Sequence, residues 1–160
     1  MPENYFDEHI ANGYETLWPE SFEPAVVDPA ANFLADLAGE GGALELGIGT
    51  GRLALPLSQR GVHVHGIELS PAMVDRFRAK PGADRVGVTI GDFATTTVGE
   101  TFTLAYLVCN TITNLTTQDE QVECFRNVAA TWSPVDASSS RSTSPSCSVC
   151  RPARPSTRSP

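Results

Sequence analysis

Residues 44–52 read Leu44-Glu45-Leu46-Gly47-Ile48-Gly49-Thr50-Gly51-Arg52, an apolar run that breaks into three alternating glycines before an arginine. This stretch constrains the fold most. Glycine has no Cβ, so the backbone can turn sharply out of a strand and pass close to a ligand lying across the loop. Such a loop predicts a strand-to-helix junction, and the flanking sequence has the matching pattern. Asp28-Pro29 predicts a helix start, followed by Ala31, Phe33, Leu34, Leu37 and Ala38 until Gly39 stops it. A strand is expected from Ala43 to Leu46, a helix from about Arg52 to Arg60 and a strand from Val62 to Ile67. Ser70-Pro71 opens the next helix and Pro81-Gly82 ends it. Further strands are expected over Val86 to Ile90 and Phe102 to Cys109, then a helix behind the capping box of Thr117 and Glu120. Strands alternating with helices in this way predict an α/β fold, a parallel sheet with helices on both faces.

Composition narrows the class. A chain of 160 residues is the size of one domain, and 41% hydrophobic against 19% charged residues excludes disorder throughout. No stretch approaches the ~20 consecutive apolar residues of a membrane-spanning helix, so no membrane partner is expected. Glu3, Asp7, Glu8 and Glu15 stand where a secretory signal would be basic and then apolar, so a cytoplasmic location is expected, with Cys109, Cys124, Cys147 and Cys150 reduced. Up to Ala130 there are 18 acidic and 7 basic side chains, a balance that repels phosphate backbones and argues against a nucleic-acid partner.

The loop spacing carries chemistry. A dinucleotide fingerprint wants its third glycine one residue later than Gly51, and here Arg52 takes that place. Glu45 adds a carboxylate that could receive a ligand ammonium, which suits a nucleoside bearing an amino acid. Glu68 ends the second strand, where a carboxylate can accept hydrogen bonds from both hydroxyls of a ribose. Asp92 and Phe93 follow the third strand, an acid and an aromatic able to bond an adenine amine and shield its ring.

With E-L-G-I-G-T-G, the acid Glu68, G-D-F and the strand from Leu104 to Thr111 in this order, the chain resembles the class I S-adenosylmethionine-dependent methyltransferases, in particular their small-molecule branch, from Tyr5 to about Ala130. The resemblance implies a Rossmann-like, mostly parallel sheet and S-adenosylmethionine as cofactor. It implies that Glu45 with Gly47, Gly49 and Gly51 holds the methionine part, Glu68 the ribose, and Asp92 with Phe93 the adenine, while Asn110 and Thr111 lie near the methyl group. It further implies that residues 1–24, with Tyr5, Phe6, Asp7, Tyr14 and Trp18, form a cover over a partial cofactor-binding domain at 25–130. The expected activity is methyl transfer to a small-molecule acceptor. The alternative is a non-catalytic module that binds S-adenosylmethionine or another adenosine ligand.

Transfer from a sulfonium depends mainly on positioning, because the cofactor carries the driving force. No catalytic residue is assigned: His63 and His65 alternate along the second strand away from the expected methyl site, and His9 lies in the cover. Cys147-x-x-Cys150 lacks a second ligand pair, so no metal is expected. Oxygen, nitrogen and carbon acceptors all fit, and the oligomeric state is not readable.

After Ala130 the pattern stops. Residues 131–160 hold ten serines and five prolines, and a disordered tail is expected. The family fold continues there with a P-G-G turn and three more strands, which this chain lacks. Lys80 is the only lysine against ten arginines, a sign of a GC-rich gene. With suitable codons for Thr131 through Cys147 and one base added in front, the neighbouring frame reads H-L-E-P-G-G-R-F-V-I-E-V-Y-V-P-E-L. The tail is therefore expected to be a frameshift product, and this chain to be inactive or poorly folded.

Overall fold

The computed structural model describes residues 6–133. Residues 134–160 of the expected tail, with Cys147 and Cys150, lie outside the described residues, as does Tyr5; Thr131, Trp132 and Ser133, assigned to that tail, lie within them, Thr131 in a helix and Trp132 in a bridge to Phe102. Helices α1 (Glu8–Leu17) and α2 (Pro24–Ala38) precede strand β1 (Gly42–Leu46). Then come α3 (Ala54–Gln59), β2 (His63–Glu68), α4 (Pro71–Arg78), β3 (Gly87–Ile90), β4 (Leu104–Tyr106) and α5 (Gln118–Thr131). The four strands are parallel in the order β3-β2-β1-β4. Because side chains alternate across a strand, the sheet divides the core in two. Ala43, Val64 and Tyr106 pack with Val27, Leu34, Ala38, Leu57 and Phe77 from α2, α3 and α4. Leu44, Leu46 and Ile67 pack on the other face with Phe93, Phe102, Leu115 and Cys124.

The expected α/β fold is therefore present, with differences that have local causes. Segment 1–24, read as a cover, contains α1, whose N-cap Asp7 accepts from the Ile10 amide at 3.0 Å. Helix α2 starts at Pro24, well before Asp28. Pro24 occupies the first turn, where its missing N–H is not needed, and the Val27 amide closes that turn on the Glu23 carbonyl at 3.0 Å. Asp28 pairs instead with Arg60 at 2.8 Å, and Pro29 sits inside the helix. Ser70 and Thr117 cap as expected: the Met73 amide donates to Ser70, and the reciprocal box of Thr117 and Glu120 is complete. Strand β4 spans Leu104–Tyr106, not the expected Phe102 to Cys109. It pairs with β1 on one side, and at its base a single parallel bridge joins Phe102 to Trp132.

Candidate functional site

At the carboxyl end of β1 the chain turns through Gly47, Gly49 and Gly51, all with positive φ (74°, 56° and 79°), a region that favours glycine. A Cβ on Gly47 would stand 2.6 Å from Thr111 Cγ2, and one on Gly51 would overlap the Phe77 ring. The loop is thus held against the end of β4 on one side and the core on the other. The Gly47 and Ile48 amides donate to the Ile67 carbonyl at 2.9 and 3.1 Å, tying the loop to β2.

This loop opens onto a pocket of about 40 Å³ lined by Tyr14, Glu45, Gly47, Gly49, Arg52 and Cys109, among others. Glu45 is buried, 3% exposed, and accepts from the Tyr106 hydroxyl at 3.0 Å. Burial pushes its pKa up to about 8, against the opposing pull of the Tyr106 hydrogen bond and the Arg52 charge. The same burial, with the neighbouring carboxylate, raises the Tyr106 hydroxyl far above its ordinary value. Arg52 spans the pocket rim, donating to the Ser21 carbonyl and to Cys109 Sγ, both at 2.9 Å. Among the described residues no carboxylate forms an ion pair with its guanidinium. Cys109 and Asn110 both adopt left-handed backbone (φ 54° and 60°), a strained conformation for non-glycine residues that clusters at functional sites.

Glu68 lies 6% exposed beside the loop, accepting from the Gly49 amide at 2.8 Å and the Ser70 amide at 2.9 Å, one on each oxygen. Burial raises its pKa despite these bonds. The Leu69 amide bonds the same carboxylate, so three backbone amides converge on it. The N-terminal segment is pinned to the same region. Ser70 Oγ donates to the Phe6 carbonyl, Arg76 to the Asn12 carbonyl at 3.0 Å, and Lys80 pairs with Glu15. Tyr14 stands edge-on to Phe6, Trp18 and Phe22.

Of the residues singled out from the sequence, Tyr14, Glu45, Gly47, Gly49 and Thr111 line this pocket. Gly51, Glu68, Asp92, Phe93 and Asn110 do not. Asp92 accepts from the Ala94 amide at 2.9 Å, and the Phe93 ring is buried in the second core cluster. Asn110 accepts from Thr113 through its carbonyl at 2.9 Å. His63 and His65 are held on β2 by Glu100 and Thr89, at 2.7 and 2.8 Å, away from the pocket. Ile48, Thr50, Arg52, Val108 and Cys109 also line it, without a role assigned to any of them from the sequence. The arginine had a signal in its place directly after the third glycine, whereas the cysteine had none.

A buried acid and an arginine without a carboxylate ion pair thus line one pocket at the glycine turn that follows a parallel strand. The sequence pattern of a methyltransferase-domain family matches residues 43–134. The chain belongs to this family, the class I S-adenosylmethionine-dependent methyltransferases. It is 40% identical to the methyltransferase CcbJ of Streptomyces caelestis, with a TM-score of 0.62 over 66% of this chain and 44% of that one. It is 27% identical to CalS10, an amino pentose methyltransferase of Micromonospora echinaspora solved with S-adenosylmethionine bound, with a TM-score of 0.57 over 68% of this chain and 45% of that one. A tRNA1(Val) (adenine(37)-N6)-methyltransferase of Actinobacillus succinogenes is 43% identical over 67 residues, 38% of this chain and 28% of the relative. The chain thus spans less than half the length of each. Among the described residues no helix is long and apolar enough to cross a membrane.

Proposed function

We propose that the chain carries the S-adenosylmethionine half of a small-molecule methyltransferase, and that its reaction is displacement at the sulfonium methyl by an acceptor nucleophile. The observation that carries this reading is the presence of Glu45 and Arg52 in one pocket at the glycine turn. Glu45 would receive the ammonium of the methionine part and Arg52 its carboxylate, while Gly47 and Gly49 keep the loop free of side chains. Gly51 lets the loop close on the core. Glu68 would receive the ribose, with Asp92, Phe93 and Asn110 completing the adenine and methyl ends. When bound, the cofactor supplies an activated methyl group; the protein orients it and excludes water.

The small-molecule acceptor is favoured by the acidic body, with 18 acidic against 7 basic side chains up to Ala130, which disfavours a nucleic acid. CcbJ and CalS10 also resemble this chain over about two thirds of its length, compared with 38% for the tRNA enzyme. Calorimetric titration with S-adenosylmethionine, S-adenosylhomocysteine and NAD tests the cofactor. The first two should bind and NAD should not; tighter binding of NAD overturns the reading. A panel of amines, phenols and carboxylates, with a tRNA transcript as comparison, tests the acceptor. Binding without turnover on any of them would favour a non-catalytic module.

A further inference from the structure

Lys80 follows α4 by two residues, and its ammonium holds two walls of the pocket without lining it. Nζ donates at 2.7 Å to the carbonyl of Thr50, which lies between Gly49 and Gly51 in the loop. It also pairs with Glu15 on α1. Thr50 itself lines the pocket, and Glu15 directly follows Tyr14, the residue through which α1 lines it. An ammonium has three donors and no acceptor, so a carbonyl and a carboxylate can share it.

The backbone beneath this side chain is fixed. The Lys80 amide donates to the Phe77 carbonyl at 3.0 Å, and the Phe77 ring is fully buried against Gly51. The lysine stem therefore starts from the packing that already supports the loop. A second tie runs through Phe22: Nζ lies 5.8 Å from its ring centroid, and that ring stands edge-on to Tyr14 at 6.3 Å. The Lys80 side chain is 26% exposed, against 70% for Arg126 in its solvated pair with Glu123, so the tie is better shielded than an ordinary surface pair. Burial pushes the Glu15 carboxyl up, but the Lys80 bond and the charges of Lys80 and Arg76 outweigh it and hold the group below its ordinary value. Glu15 is thus charged throughout the neutral range.

We infer that Lys80 is a positioning residue for the bound nucleoside: by holding the Thr50 carbonyl and Glu15 together it fixes Tyr14 against the glycine loop, and so couples the seating of α1 to occupation of the pocket. The inference rests on the reading of this pocket as the S-adenosylmethionine site. With the tie in place, both walls stand ready and the ligand does not have to order α1. Without it α1 opens locally, and each binding event must close it again.

Amide exchange of the ligand-free chain reads α1 directly. In Lys80→Met, which keeps an apolar stem and loses the donors, the α1 amides should exchange faster by about tenfold or more, while those of β1 and β2 stay as in the parent. Lys80→Met should also bind S-adenosylhomocysteine more weakly by about fivefold or more. Lys80→Arg keeps the charge and the donors and should recover most of both losses. Unchanged α1 exchange in a Lys80→Met chain that melts cooperatively overturns the inference, as does the absence of any recovery in Lys80→Arg. A parent that does not bind S-adenosylhomocysteine overturns the cofactor reading and this inference with it; a parent that binds, with Lys80→Met binding equally well, overturns the inference alone. Should Lys80→Met fail to fold, Glu15→Ala leaves α4 and the loop intact and must speed α1 exchange, although alanine favours a helix. Exchange at the parent's rate in that variant also refutes the tie.

Discussion

The pocket makes a prediction about protons. Glu45 has an ordinary value of 4.5, and burial lifts it to about 8, so it is mostly protonated in the free protein at pH 7. An ammonium placed against it favours the charged form and draws the pKa back down. Binding a ligand that carries an amino-acid group must therefore expel the proton. For a pKa near 8, about 0.9 of a proton leaves at pH 7, about 0.5 at pH 8 and under about 0.1 at pH 9. Calorimetry with S-adenosylhomocysteine in buffers of different ionisation enthalpy reads that number directly as a slope. Methylthioadenosine, which lacks the amino-acid part, should give a slope of zero, and Glu45→Gln should abolish the slope for S-adenosylhomocysteine. A flat buffer dependence at pH 7 in the parent chain, or an unchanged slope in Glu45→Gln, would refute the assignment of Glu45 to the ammonium.

The same shift makes stability depend on pH. Since the folded pKa of Glu45 is raised, its contribution is fully present below about pH 4.5 and is lost as pH rises to about 8; urea titrations of Glu45→Gln should lack that decline. Glu68→Ala leaves the Gly49 and Ser70 amides unpaired, at about 1–3 kcal/mol each, while Glu68→Gln keeps one acceptor. The alanine variant should therefore melt below the glutamine variant, and equal midpoints would deny the carboxylate its role in holding the loop. Gly51→Ala must place a Cβ into the Phe77 ring at φ 79° and should lose about 1–3 kcal/mol or more, whereas Gly13→Ala, in α1 with open space around it, should gain up to about 1 kcal/mol. Cys109 is exposed at the pocket and Cys124 is buried, its thiol pushed up to about 11. Iodoacetamide should modify Cys109 first, and S-adenosylmethionine should slow that reaction; modification of Cys124 at the same rate would contradict the packing.

Much of this fold was legible because local signals and tertiary demands agree. Ser70 and Thr117 cap helices wherever those helices pack, and the glycine loop can sit at one kind of junction. The failures mark places where distant contacts decide. Nothing local to Asp28 says that Arg60, 32 residues away, will claim its carboxylate, leaving Pro24 to start α2. Glu45 could be read as an acid near a ligand, but its partner Tyr106 is 61 residues distant, and the raised pKa follows from that enclosed setting. The left-handed turn at Cys109 and Asn110 has only half a sequence mark, since asparagine tolerates that backbone and cysteine disfavours it. Arg52 reaches Cys109 across 57 residues, so the pairing of charges in the pocket appears once the sheet has formed.

One strand serves both the sheet and the pocket. β4 pairs with β1 along Leu104–Tyr106, and three residues further on the chain becomes the pocket wall at Cys109 and Thr111. The Tyr106 hydroxyl donates to Glu45, and the Thr111 methyl stands against the place where a Cβ on Gly47 would fall, so whatever orders β4 orders the glycine loop. That hydrogen bond favours the charged carboxylate and pulls its pKa down against burial. Tyr106→Phe keeps the ring in the core and removes the bond, so Glu45 should hold its proton to a higher pH than in the parent chain. The pH at which proton release on binding S-adenosylhomocysteine falls to half should therefore move upward, read by the same buffer series. An unmoved midpoint in a variant that still melts cooperatively would show that the Tyr106 hydroxyl does not set the charge of the pocket.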